Sequence, residues 1–97
     1  MVHLRVVAPS ERAEAVCEAL EAVPRVINVV LLPRAARKPP GDLILCDVAR
    51  EDASVVIEDL RALNLHREGS IAMELVDTAI LEAADMAERV AAGADRR

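Results

Sequence analysis

The feature that most limits what this chain can fold into is its hydrophobic period, which switches between strand-like and helix-like spacing twice over. Val2-His3-Leu4-Arg5-Val6-Val7 alternates apolar and polar residues, as a half-buried strand does. Pro9 and Ser10 end that run, and Ser10 with Glu11 behind it reads as a helix N-cap. Ala13, Val16, Cys17, Leu20 and Val23 then recur at spacings of three and four, which predicts an amphipathic helix stopped by Pro24. Residues 25–32 form a second, almost wholly apolar strand. Pro33 to Gly41 carries enough Pro and Gly to be expected as a loop.

The cycle then repeats. Residues 42–49 predict a third strand and Glu51 and Asp52 open a second helix, with Ala53, Val56, Ile57, Leu60 and Leu63 on its apolar side. Asn64 suits the end of that helix because Asn tolerates the left-handed conformation. A fourth strand is expected over about 70–76 with Ile71, Met73 and Leu75 pointing one way. Asp77 is placed to cap a third helix expected to run to about Ala92, and residues 93–97 are expected to fray.

The order β-α-β-β-α-β predicts an α+β domain over residues 1–76, with two helices on one face of a four-stranded antiparallel sheet. This is the ferredoxin-like arrangement, reached when both crossovers are right-handed. The helix over 77–92 is an addition to it. At 97 residues and 54% hydrophobic content one core is affordable without metal or disulfide staples.

Alternation also fixes the faces. If Val2, Leu4, Val6, Ile44, Cys46, Val48, Ile71, Met73 and Leu75 face the helices, the other side carries His3, Arg5, Val7, Leu43, Leu45, Asp47, Ala72, Glu74 and Val76. The second strand is apolar whichever half is chosen: Ile27, Val29 and Leu31, or Val26, Val30 and Leu32. It lies at a sheet edge in this topology, and a hydrophobic edge beside an open apolar face invites association. Ile27, Val29, Leu31, Leu43 and Leu45 are therefore the expected contacts of a homo-oligomer. The alternative is that the third helix folds back over the open face.

Catalysis is not expected. His3, Cys17, Cys46 and His66 show no metal-ligand spacing, and both cysteines fall on core-facing positions. Asp42 and Asp47 are five apart and so on opposite faces, which makes no acid/base pair. Three glycines build no phosphate loop. No Phe, Tyr or Trp is present and the net charge is −5, which argues against base stacking and phosphate-backbone binding. No cofactor is expected. No apolar run approaches the ~20 residues of a membrane span and no signal peptide is visible, so a cytoplasmic protein is expected. Arg34, Arg37 and Lys38 form a local basic cluster, readable as a contact for an acidic partner or anionic headgroups or as a solvated hairpin tip.

Three stretches carry a family resemblance: the opening Met-Val-His-Leu-Arg-Val-Val-Ala-Pro-Ser-Glu-Arg, the middle Val-Val-Leu-Leu-Pro-Arg-Ala-Ala-Arg-Lys-Pro-Pro-Gly-Asp, and Gly69-Ser-Ile-Ala-Met-Glu-Leu-Val-Asp-Thr-Ala-Ile80. They resemble the N-terminal soluble region of actinobacterial membrane proteins of the domain-of-unknown-function 389 family, the uncharacterised hydrophobic domain family. The resemblance implies a membrane domain as partner, with the helix over 77–92 as connector and the basic hairpin near the headgroups. In topology the domain also resembles ACT-type regulatory domains, which implies assembly through the sheet and, as an alternative function, a small-molecule ligand at a subunit interface. The first strand-to-helix turn here, Ala8-Pro9-Ser10-Glu11, lacks the glycine that lets a ligand approach the backbone in those domains.

Overall fold

The computed structural model describes residues 1–76; the expected helix over 77–92 and the tail over 93–97 lie outside the described residues. Four strands, β1 (Val2–Ala8), β2 (Val26–Arg37), β3 (Pro40–Val48) and β4 (Ser70–Leu75), alternate with α1 (Ala13–Glu21), α2 (Ala53–Ala62) and a single turn, α3 (Leu65–Glu68). The strands make one antiparallel sheet in the order β2-β3-β1-β4. This is an α+β fold compatible with the ferredoxin-like arrangement.

Each element follows from local chemistry. On α1 the stripe Ala13, Val16, Cys17 and Leu20 is buried, and on α2 Val56 and Leu60 are. These side chains pack on Leu4, Val6, Ile44, Cys46 and Val48, all at most 1% exposed. Burying a Leu or Ile in this way is worth about 1.5–3 kcal/mol, so this layer carries much of the stability. Asn64 takes the left-handed conformation, φ 63°, between α2 and α3, as its residue type allows. Between Asn64 and β4 the chain makes the turn α3, whose Leu65 is fully buried.

The helix starts depart from expectation. Short 3-10 turns, Ser10–Arg12 and Arg50–Asp52, precede α1 and α2, and no side chain caps either one. Ser10 is not an N-cap because its hydroxyl donates to Asp42 Oδ1 at 2.6 Å. Arg12 closes the other side of the helical layer by donating to the Leu63 carbonyl and pairing with Glu68 at 3.1 Å. Arg25 clasps Asp52 with two hydrogen bonds of 2.6 and 2.9 Å, tying the start of β2 to the turn before α2.

The largest correction concerns residues 33–41. They are not a loop but the outer part of a β2–β3 hairpin, with Ala36 opposite Gly41 and Arg37 opposite Pro40 around a cis Lys38-Pro39 bond. Proline is tolerated because β2 is an edge strand, and Pro33 falls where the ladder is irregular, between Leu32 and Ala36. The β1–β3 ladder stops at Ala8 opposite Asp42, so 33–41 project beyond the sheet as a two-stranded arm.

Candidate interaction surface

Two bulges decide which side chains β2 presents. Val26 lies opposite Val48 and Ile27 opposite Asp47, but the next pairs are Val30 with Leu45 and Leu31 with Ile44. One residue has been inserted, at Asn28, whose φ is 59°. The insertion reverses the alternation. Val26, Val29 and Leu31 all turn toward the helices and pack on the core, whereas Ile27, Val30 and Leu32 share the other face with Leu43 and Leu45. Of the five side chains expected at an interface, Ile27, Leu43 and Leu45 lie on the open face; Val29 and Leu31 do not, because the bulge turns them inward. Alternation alone offered two halves of β2, and the strand uses part of each.

The same bulges blunt the β2 edge. With irregularities at Asn28 and again around Arg34 (φ 55°) and Pro33 between them, regular pairing survives only in the short stretches 26–27, 30–32 and 36–37. Bulges and proline are the devices that keep edges from pairing. The opposite edge, β4, has none of them: its register with β1 runs unbroken from Ser70 to Leu75.

β4 shows what alternation leaves open. Met73 and Leu75 lie opposite Leu4 and Val2, on the helix side as expected, yet they are 62% and 59% exposed. The described helical layer stops short of this edge. Ile71 still packs on the core, but beyond it a groove opens between α2 and β4, lined by Ile57, Arg61, His66, Ile71 and Met73.

Polar groups on the open face are organised at one end. His3 Nδ1 and Asp47 Oδ1 are 2.8 Å apart, and Asn28 Nδ2 donates to Asp47 Oδ2 at 2.8 Å. The bulge thus delivers the amide that holds this carboxylate. Among the described residues no hydroxyl or thiol nucleophile joins the trio: both cysteines are free, buried and on the helix side. Burial, then the Asp47 charge, pushes the Cys46 thiol up to about 12. Burial first and then Glu14 and Glu21 raise that of Cys17. Such thiols stay protonated and unreactive. Among the described residues no three His, Cys, Asp or Glu side chains gather as a metal site, and no helix is long and apolar enough to cross a membrane.

Asp42 does what the sequence did not disclose. Only 6% exposed, it accepts from the Ser10 hydroxyl and, at 2.9 Å, from the Arg34 backbone N–H. These two bonds, the Ser10 one foremost, hold its carboxyl below the usual carboxylate range. One side chain therefore joins the β1–α1 turn to the base of the hairpin arm. Its neighbour Gly41 is required there, since a Cβ at that position would sit 2.2 Å from the Ala8 carbonyl oxygen. Arg34, Arg37 and Lys38 are exposed on the arm.

Compared with known proteins, the chain matches no family model, no curated sequence and no solved structure.

Proposed function

We propose that this domain is a non-catalytic assembly or regulatory module that works by self-association. The observation that carries the reading is where its exposed aliphatic side chains lie. Of the five exposed large aliphatic side chains among the described residues, Val55 is on α2, while Val30 and Leu32 on the open face and Met73 and Leu75 on β4 are each more than two-fifths exposed. The four on strands sit where the described helices do not reach. Clusters of this kind on a small sheet are covered by a partner more often than left to water. The resemblance in its three sequence stretches supports the finer reading, a cytoplasmic module beside a membrane domain.

A small-molecule sensor of the ACT type has less to support it. The Ser10 hydroxyl and Asp42 are spent on each other, so the first strand-to-helix turn offers a ligand little that is unpaired. Sedimentation of the full chain tests the main reading. An oligomer at tens of micromolar without any added ligand is expected. A monomer overturns it, and a monomer whose melting temperature rises with one compound of a metabolite screen turns the choice toward the sensor.

A further inference from the structure

Among the described residues no strand covers the outer edge of β4, and that edge is specific enough to define a partner. Val76 N–H donates to the Met1 carbonyl at 2.9 Å, which sets the hydrogen-bonding phase of β4 against β1. Alternation then turns the N–H and C=O groups of Ile71, Met73 and Leu75 away from β1, toward the free edge. The side chains of these same three residues stand on the helix side, and two of them are the most exposed large hydrophobic side chains among the described residues.

Resting on the self-association reading, we infer that two copies of this chain join β4 to β4 in antiparallel fashion about a two-fold axis at Met73. In that register Met73 faces its own counterpart and Ile71 faces the partner's Leu75, so all three outward residues exchange both backbone hydrogen bonds. The contact is isologous, as a closed dimer requires. It covers Met73 and Leu75 and merges the two grooves beside α2 into one apolar seam.

Charge selects the register. On the opposite face Ala72 lies between Arg5 on β1 and the free edge, and a hollow there is lined by His3, Arg5, Ala72, Met73 and Glu74. Antiparallel pairing at Met73 brings the partner's Glu74 opposite Ala72. The short Ala72 side chain leaves room for Arg5 to reach across it to that carboxylate, and the two-fold axis makes the pair twice. Neither Arg5 nor Glu74 makes an ion pair among the described residues. A shift of two residues in either direction would set Glu74 opposite Ser70 or Glu74, which loses the match or opposes like charges.

Sedimentation of five proteins and one cross-link test this arrangement. Arg5→Glu and Glu74→Arg are each expected to weaken the wild-type dimer at least about tenfold, and the double swap Arg5→Glu with Glu74→Arg to restore it. Met73→Cys is expected to form a disulfide-linked dimer on mild oxidation, whereas the wild type, whose two thiols are buried, forms none. A swap that fails to restore association, or a Met73→Cys chain that does not cross-link, overturns the edge pairing. If the wild type is an oligomer that Leu45→Glu dissociates and the Arg5 and Glu74 variants do not, the edge pairing falls and self-association stands. A monomeric wild type removes both.

Discussion

The two faces of the sheet are built from the same residue types and reach different ends. Toward the helices, Leu4, Val6, Ile44 and Val48 meet α1 and α2 and lose all contact with water. On the other side, Leu43, Leu45, Val30 and Leu32 keep part of their surface exposed, interleaved with Arg5, Asp47 and His3. What separates the two sets is position on the pleat rather than hydrophobicity. Ile44 and Leu45 are neighbours in the chain, similar in size, and belong to different environments. Core side chains are fixed by packing; those on the open face keep surface in water.

That contrast sets the scale of the expected effects. Ile44→Ala opens a cavity in the packed layer and is expected to lower stability by about 2–5 kcal/mol in denaturant titration. Equal costs for Ile44→Ala and Leu45→Ala would show that something covers the open face within one chain. Next comes Gly41→Ala, which drives a Cβ into the Ala8 carbonyl. A loss of about 1–3 kcal/mol is expected, read as a drop in melting temperature. Leu45→Ala follows, at about 1 kcal/mol or less, because its side chain is only half-buried.

A pH titration probes the joint between body and arm. The Asp42 carboxyl is held low in the folded state, so its contribution is complete above the unfolded carboxylate value of about 3.9. It is lost as pH falls through the still lower folded value. Thermal melts should show a loss below about pH 4 that Asp42→Asn flattens. The smallest effect belongs to the arm: replacing Arg34, Arg37 and Lys38 by Glu should change folding stability by no more than about 0.5 kcal/mol each, since their side chains project into solvent. A larger change would mean the arm packs back on the body.

How much of this was legible in the sequence follows from what local pattern can encode. β1, β3, α1 and α2 announced themselves through clean periods, and the strand order follows once two crossovers share a sheet. The arm was misread because Pro33, Pro39, Pro40 and Gly41 signal a turn, whereas an edge strand and an irregular ladder accommodate them. Ser10 looked like a cap by type; only the fold brings Asp42 within reach of it, 32 positions away. Met73 and Leu75 lie on the face that alternation assigned them and are nonetheless exposed, since alternation says which way a side chain points and nothing about what lies above it. For the interface residues, parity carried Leu43 and Leu45 but failed at Asn28, where one left-handed residue breaks it.

That residue has a consequence for how the strand tolerates change in length. Asn28 is the extra residue of a bulge, so removing it would leave Ile27 opposite Asp47, set Val29 opposite Cys46, and keep Val30 opposite Leu45 and Leu31 opposite Ile44. Val29 and Leu31 stay in the core and Val30 and Leu32 stay outside, because alternation runs on unbroken once the bulge is gone. What the deletion removes is the amide that holds Asp47 and the kink that blunts this edge. Chains of this design can therefore lose this residue without turning the strand inside out, and would gain a straighter edge, more open to pairing.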